Sequence, residues 1–205
     1  MKLYSAHKAP NPRRVLMFLA EKGITDVEVV NLDLSAGDNL HEDFRRKNPM
    51  AKVPVLELDD GTCISECGAI YRYLEERVPE PALLGRTIME KTLIEMWERR
   101  AELSFMLTVG HCFQHTTGFF KDRMTPIAAW GEESGLLARQ FLPLLEEQLT
   151  GHDFVAGSEF SAADITVFCA LEFAKLVGMR PDAEEFPALV AWYQGIKQRP
   201  SAAIF

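Results

Sequence analysis

The 205-residue sequence has no long hydrophobic run, no CxxC pair of cysteines and no excess of positive charge. Because a membrane-spanning helix needs about 20 apolar residues, we expect none, and the N-terminal MKLYSAHKAP lacks the pattern of a signal peptide. The formal net charge of −8 disfavours a nucleic-acid-binding protein, which has to neutralise phosphates. These absences predict a cytoplasmic protein that has neither a membrane nor a nucleic acid as its partner.

The four cysteines, at positions 63, 67, 112 and 169, are too widely spaced for a dithiol motif. No cluster of cysteine and histidine has the spacing of zinc ligands, so we predict no metal site. Reduced thiols are the simplest interpretation of this usage. With 47% hydrophobic residues, the chain can build a packed core, which excludes a disordered protein.

Residues 1–78 carry the pattern β-α-β-(α)-β-β-α. Four short apolar runs predict strands, namely KLY, DVEVVNLDL, VPVLEL and TCIS, and the last two form a hairpin closed by DDG at 59–61. RRVLMFLAEKG and ECGAIYRYLEERV predict helices, and HEDFRRK predicts a short one. Asn11 is the predicted N-cap of the first helix and Pro12 its first helical residue.

The second part of the chain has a different character. Residues 79–88 contain two prolines and a glycine, which predicts a linker, and residues 89–205 show no further clear strand. Four helical patterns follow: IMEKTLIEMWERRAELSFMLTVGHCFQHT, PIAAWGEESGLLARQFLPLLEEQL (weakened by Gly131, Gly135 and Pro143), SAADITVFCALEFAKLVG and FPALVAWYQGIKQRP. Ser161 and Asp164 are placed as a capping box. The whole predicts an α+β domain followed by an all-α domain.

Two separated motifs in this order resemble the cytosolic glutathione S-transferase family over nearly the whole chain. They are NPMAKVPVLELDDGTCISECGAIYRYL and FVAGSEFSAADITV. The resemblance implies a thioredoxin-like N-terminal domain that binds glutathione and an all-α C-terminal domain that lines the electrophile site. It also implies a homodimer and a detoxification enzyme that conjugates the thiolate of glutathione, its co-substrate, to a small hydrophobic electrophile.

In this family the proline that corresponds to Pro54 follows a cis peptide bond. The resemblance therefore implies that Val53 offers its main-chain N–H and C=O to the cysteinyl part of glutathione, as one more strand would. The alternative is a trans proline that merely begins an edge strand.

The resemblance also implies contacts for the two ends of the tripeptide. At a predicted helix start, the N–H of Cys67 takes the γ-glutamyl carboxylate and the side chain of Glu66 takes the ammonium. The alternative for Glu66 is an acidic residue that favours its own helix N-terminus. Lys52, with Asn39 or His41, meets the glycyl carboxylate, although His41 is equally compatible with an ordinary exposed histidine.

The first loop departs from the family pattern at the residue that activates the thiol. Family members usually have the activating serine six residues, or the activating cysteine three residues, before the position of Val15. In this chain those positions hold Ala9 and Pro12, and neither side chain donates a hydrogen bond. The chain is similar to a subfamily that uses a histidine of the helical domain together with water. This implies that His115 lies near the sulfur, with His111 as the alternative, and that Asn11 donates its amide N–H to the thiolate.

Other interpretations stay open. Phe105, Met106, Phe113, Phe119 and Phe120 are candidates for the electrophile pocket, and for the first two a core position is favoured. A glutathione-dependent disulfide reductase or peroxidase is one alternative function, because bound glutathione would then do the thiol chemistry. A non-catalytic glutathione-binding protein is another, favoured by Ala9.

Overall fold

The computed structural model describes residues 1–204 and divides the chain into two compact units. One consists of Met1–Leu83 and the segment that begins at Pro200, and the other is Leu84–Arg199. This division differs from the predicted second domain, residues 89–205, at its C-terminal end. The reason is that the 3-10 turn Pro200–Ala203 packs against the first helix of the chain.

The first unit is a four-stranded mixed sheet with three helices, as predicted for an α+β domain of thioredoxin-like type. Its strands are β1 (Lys2–Ser5), β2 (Glu28–Asn31), β3 (Val55–Glu57) and β4 (Cys63–Ser65), and its helices are α1 (Pro10–Glu21), α2 (Glu42–Lys47) and α3 (Cys67–Arg77). The strand order is β2-β1-β3-β4, with β1 parallel to β2 and antiparallel to β3, and with β3 antiparallel to β4. Every strand predicted from the short apolar runs is therefore confirmed.

The core of this unit lies between the sheet and the paired helices α1 and α3. Leu3 and Leu56 of the sheet are fully buried, and Phe18 of α1 stacks on Tyr71 of α3 with 4.4 Å between ring centroids. At the end of α1, the ammonium of Lys22 is buried against the carboxylate of Glu75 and donates to the main-chain carbonyls of Val78, Pro79 and Pro81. This contact fixes the end of the unit to its first helix.

The second unit is helical, which confirms the predicted all-α domain. Its helices are α4 (Ile88–Arg100), α5 (Leu107–Thr116), α6 (Ala128–Gln140), α7 (Leu142–Gly151), α8 (Ala162–Ala174) and α9 (Pro187–Lys197). A π-helical turn, Ala101–Met106, joins α4 to α5. Helix α8 is buried on nearly all sides and forms the centre of the unit.

Two of the predicted helical patterns contain more than one helical element. The first is continuous but contains the π-helical turn, and the second consists of two helices that meet at Phe141, with Pro143 in the first turn of α7. Helix α6 runs continuously through both of its glycines. They permit close approach to α5, because a Cβ at Gly131 would come within 2.9 Å of the Cβ of His115, and a Cβ at Gly135 within 3.1 Å of the Sγ of Cys112.

The two predicted helix caps have different outcomes. The capping box of Ser161 and Asp164 at α8 is confirmed. The predicted N-cap at Asn11 is wrong, because α1 begins at Pro10 and Ala9 occupies the N-cap position without a side-chain hydrogen bond. The reason is that a proline suits the first turn of a helix, where its missing N–H has no partner to lose.

Among residues 1–204, none of the helices combines the length and the hydrophobicity that a membrane span requires.

Candidate functional site

Most of the predicted ligand-binding residues gather at one end of the first unit's sheet. Strand pairing brings this about, because Val55 lies opposite both Tyr4 and Ser65. The chain that follows β1, the chain that precedes β3 and the chain that follows β4 therefore lie at the same end. Cys67 and Asn11 are in direct contact there, since the Sγ of Cys67 lies 3.4 Å from the main-chain oxygen of Asn11.

The Val53–Pro54 peptide bond is cis, as predicted. Pro54 is buried, and Val53 is half-buried just ahead of β3. Within the described part of the chain, neither the N–H nor the C=O of Val53 has a hydrogen-bond partner. A half-buried main chain with an unpaired donor and an unpaired acceptor can form hydrogen bonds with an extended peptide that pairs with it as a further strand.

The loop before Val53 is fixed by Asn48, a buried side chain that the sequence analysis did not select. Its Nδ2 donates to the main-chain oxygen of Lys52 at 2.8 Å, and its Oδ1 accepts from the N–H of Met50 at 3.1 Å. The loop includes Ala51 at φ 53°, a left-handed conformation that a non-glycine residue adopts only when its surroundings hold it there. Asn48 therefore positions the main chain that leads into Val53.

The residues predicted for the glycyl carboxylate have different surroundings. Lys52 and His41 are exposed, and within residues 1–204 neither side chain has a hydrogen-bond or ion-pair partner. Asn39 uses its Nδ2 to donate to the main-chain oxygen of Ala51 at 2.7 Å, while its Oδ1 is buried without a partner. One end of the Asn39 amide thus holds the loop rather than a ligand.

Glu66 occupies the N-cap position of α3 with φ 69° and ψ 126°, a backbone conformation that L-residues rarely adopt. Its side chain is exposed and makes no capping hydrogen bond, so the carboxylate does not serve its own helix. Such strain at a loop-to-helix junction is typical of ligand clamps. The carboxylate is thus available to a cation in solution.

Cys67, the first residue of α3, is 3% exposed, and its thiol donates to the main-chain oxygen of Asn11. The side chain therefore points into the protein. What the residue can offer to an anion is its main-chain N–H, at a helix end where the first N–H groups have no partner within the helix.

Asn11 lies in the first turn of α1, half-buried, and Arg14 orients its side chain. The Nη1 of Arg14, a fully buried residue, donates to the Oδ1 of Asn11 at 3.1 Å. With the oxygen held in this way, the amide nitrogen is the end that has no hydrogen-bond partner within the described residues. Asn11 can therefore donate to a ligand, and Arg14 is a second residue that the sequence analysis missed.

The hydroxyl of Tyr4 is not available as a thiol activator. It donates to the Oε2 of Glu57 at 2.6 Å, and Lys47 donates to the same carboxylate atom at 2.9 Å. Burial, followed by the neighbouring Glu57 carboxylate, raises the pKa of the Tyr4 hydroxyl, while the hydrogen bond from Tyr4 lowers the pKa of Glu57. A tyrosine with a raised pKa and an engaged proton is a structural residue.

In the helical unit, His115 lies near the end of α5, half-buried, and its ring orientation is fixed. Its Nδ1 accepts a hydrogen bond from the main-chain N–H of Ile127 at 3.0 Å. Because the accepting nitrogen carries no proton, the neutral ring carries its proton on Nε2. His115 therefore presents an Nε2–H donor, whereas the ring of His111 packs against Trp130 with 5.5 Å between centroids.

The aromatic candidates of α5 divide into two groups. Phe105 and Met106 are buried, and Phe105 stacks on Phe141, which confirms the core interpretation. Phe113 instead contacts Phe119 and Phe120, and Phe119 is 51% exposed. This second cluster is an accessible apolar surface.

No group of three or more histidine, cysteine, aspartate or glutamate side chains that could hold a metal ion occurs within the described residues.

Comparison with known proteins gives a consistent result for both units. The family model for the N-terminal domain of glutathione S-transferase matches residues 1–76, and that for the C-terminal domain matches residues 132–200. A curated relative, glutathione S-transferase 2 of Saccharomyces cerevisiae, is 39% identical over 204 residues, which cover 98% of this chain and 87% of the yeast protein.

Solved structures show the same similarity in three dimensions. The crystal structure of a glutathione S-transferase domain-containing protein from Marinobacter aquaeolei has a TM-score of 0.93 and 40% identity, and the match covers 98% of this chain and 99% of that one. The crystal structure of Gtt2 from Saccharomyces cerevisiae has a TM-score of 0.93 and 38% identity, and the match covers 98% of each chain.

Proposed function

The chain belongs to the glutathione S-transferase family and is a transferase that uses glutathione as its co-substrate; on this premise we propose that it conjugates the glutathione thiolate to a small hydrophobic electrophile. The single observation that carries the proposal is the open N–H and C=O pair of Val53 at the sheet end where α3 begins. The proposed role is detoxification in the cytoplasm, which cell fractionation tests.

Glutathione would be bound by main-chain and charged groups. The cysteinyl part pairs with Val53 beside Pro54, as an added strand would. The N–H of Cys67 donates to the carboxylate of the γ-glutamyl residue, and the ammonium of that residue pairs with the carboxylate of Glu66.

At the opposite end of the tripeptide, Lys52 and His41 meet the glycyl carboxylate. Asn39 completes the set, since its amide orders the loop that carries Lys52. Isothermal titration calorimetry with Lys52→Gln tests this end, and unchanged affinity for glutathione would refute the assignment.

The thiolate would be stabilised by hydrogen-bond donors rather than by a hydroxyl of the first loop. Asn11 offers its amide nitrogen and His115 its Nε2–H, directly or through water. A donor that binds the charged form lowers the pKa of a thiol and increases the reactive fraction at neutral pH. Ala9 and Pro12 support the proposal that the protein belongs to the subfamily whose first loop lacks the usual tyrosine, serine or cysteine.

Kinetics on an aryl halide test this mechanism. A charge-assisted hydrogen bond contributes about 1.5–3 kcal/mol, so we expect His115→Ala and Asn11→Ala to lower kcat/KM by about 10- to 100-fold. The pKa of bound glutathione, followed by the ultraviolet absorbance of the thiolate, should rise in both variants. His111→Ala is the matched control, and full kcat/KM in both active-site variants would refute the assignment.

Substrate comparison separates conjugation from the alternatives. The buried thiol of Cys67 and the half-buried Cys63, whose pKa is raised by burial, do not form a dithiol pair. We expect turnover of the aryl halide to exceed turnover of a small mixed disulfide or an organic peroxide. The reverse order would favour a reductase or peroxidase, and retention on a glutathione column without turnover would favour a non-catalytic binding protein.

A homodimer is proposed from the apolar surface of the segment from α4 to α5. The exposed side chains on it are Ile88, Met89, Leu93, Leu103 and Leu107. Exposed apolar side chains that recur along one helical segment are typical of a protein–protein interface. Leu103→Glu should shift the mass measured by light scattering toward the monomer, and a monomeric parent protein would refute the proposal.

A further inference from the structure

The first turn of α6 contacts His115 of α5 at two places. The main-chain N–H of Ile127, the residue at the N-cap position of α6, donates to the Nδ1 of His115 at 3.0 Å. One turn later, the buried Gly131 lies next to the backbone of the same histidine. The first contact orients the ring of His115, and the second sets the distance between its backbone and α6.

The packing at Gly131 leaves no space for a side chain. A Cβ there would be 2.7 Å from the Cγ2 of Thr116, 2.9 Å from the Cβ of His115 and 3.2 Å from the carbonyl carbon of His115. The two His115 atoms belong to the backbone or are bonded to it, so they cannot rotate away as the end of a flexible side chain would. A side chain at position 131 would therefore push α5 and α6 apart at His115.

The two contacts are mechanically linked. The N–H of Gly131 donates to the main-chain oxygen of Ile127 at 3.1 Å, a hydrogen bond that joins the N-cap residue to the first turn of α6. A shift of α6 at Gly131 would therefore also move the N–H of Ile127 away from the Nδ1 of His115. Because a hydrogen bond weakens steeply with distance and misalignment, the ring would lose its orientation.

Gly135, one turn further along α6, provides an internal comparison. A Cβ there would be 3.1 Å from the Sγ of Cys112 and 3.9 Å from its Cβ. The Sγ is the end of a side chain, which can move by a few tenths of an ångström, so alanine fits at Gly135 with a small adjustment. Within a helix glycine is less favourable than alanine, so a glycine that alanine cannot replace indicates a packing requirement.

We propose that Gly131 is a positioning residue for His115. By holding α6 against the backbone of His115, it keeps the N–H of Ile127 on Nδ1 and thereby keeps the proton of the neutral ring on Nε2. The importance for catalysis rests on the proposed function, in which the Nε2–H of His115 stabilises the thiolate. A small misplacement of such a donor lowers the rate strongly.

Nitrogen-15 NMR of the His115 ring tests the geometry without an activity assay. At a pH where the ring is neutral, the parent protein should show the Nε2–H tautomer and a coupling across the hydrogen bond between the amide nitrogen of Ile127 and Nδ1. In G131A the coupling should be lost and the ring should exchange between tautomers, whereas G135A should resemble the parent protein. A parent ring with its proton on Nδ1, or without the coupling, overturns the proposal even if G131A fails to fold.

Kinetics on the aryl halide test whether this position matters for the reaction. G131A should lower kcat by about tenfold with the KM for glutathione nearly unchanged, and G135A should change kcat by less than about twofold. In the His115→Ala background G131A should have no further effect, because there is no ring left to position. Equal losses in both backgrounds, or a loss in G135A as large as in G131A, would overturn the proposal.

The two experiments distinguish this inference from the proposed function. If His115→Ala keeps full kcat/KM while G131A changes the tautomer of His115, the proposed function is wrong and the positioning role stands. If His115→Ala is impaired while G131A has the tautomer and the kinetics of the parent protein, the proposed function stands and the positioning role is wrong.

Discussion

The starts of helices α8 and α3 both carry an acidic residue, and the structure gives these two carboxylates opposite environments. Asp164 of α8 is fully buried and accepts hydrogen bonds from the N–H of Val155, the N–H and hydroxyl of Ser161, and the indole of Trp192. Glu66 of α3 is exposed, has a positive φ and caps nothing.

The contrast distinguishes a structural helix start from the one that we propose binds glutathione. At α8 the protein's own donors satisfy the carboxylate, so the residue holds the fold. At α3 the Glu66 carboxylate makes no capping hydrogen bond and its backbone has a positive φ, an arrangement that we propose serves a charged ligand.

The largest expected effect is the loss of the Asp164 carboxylate. Asp164→Ala leaves three buried N–H groups without an acceptor, so we expect the free energy of unfolding to fall by about 3–5 kcal/mol. Urea denaturation at pH 7 measures this, with the exposed Asp153→Ala as control. A loss below about 1 kcal/mol would show that α8 does not depend on its cap.

The pH dependence of the free energy of unfolding also tests the buried environment of Asp164. Burial raises the pKa of Asp164 from 3.8 to about 6 despite its hydrogen-bond donors. The folded state therefore binds the proton more tightly than the unfolded state, so the contribution to stability is full below pH 3.8 and is lost as pH rises to about 6.

The variant Asp164→Asn cannot titrate, and it isolates this contribution. The difference in unfolding free energy between the parent protein and the variant should decrease by about 2 kcal/mol from pH 4 to pH 7. Denaturation at several pH values measures it, and a constant difference would contradict the raised pKa.

At α3 we expect the complementary result, a loss of binding without a loss of stability. Glu66→Gln keeps the shape of the side chain but removes the charge that we propose pairs with the glutathione ammonium, so the Kd should rise about 10- to 100-fold. Calorimetry and thermal melting check the two quantities. Glu76→Gln, an exposed residue of the same helix, should change neither, and a destabilised Glu66→Gln protein would make Glu66 a structural cap.

The smallest expected effect has the opposite sign. Glu66→Gly relieves a backbone strain of about 1–3 kcal/mol, which exceeds the roughly 0.4–1 kcal/mol that glycine costs through the entropy of the unfolded chain. The variant should therefore have a slightly higher free energy of unfolding and weaker glutathione binding. Chemical denaturation with and without glutathione measures both changes. Lower stability of the unliganded variant would show that the backbone at Glu66 is unstrained.

Local sequence signals correctly predicted the turns and helix caps that neighbouring residues determine. The turn at Gly61 (φ 87°) and the Ser161 cap depend on neighbouring residues, and both are found where the sequence placed them. The cis bond before Pro54 was predicted from the family resemblance and not from a local signal.

The signals failed where burial, loop shape or packing between helices decides. Asn11 has the side chain of a good N-cap, but its oxygen is held by the buried Arg14, and nothing in the sequence marks an arginine as buried. Gly131 looked like a helix weakness because its contact with His115 involves a second helix. The role of Asn48 depends on a loop shape that no motif encodes.

The crystal structure of the glutathione complex tests the central claim most directly. The account predicts that the main chain of the cysteinyl residue lies within about 3.2 Å of both the N–H and the C=O of Val53, with the γ-glutamyl end at Glu66 and Cys67. A tripeptide bound elsewhere, or one that leaves the main chain of Val53 unpaired, would contradict it.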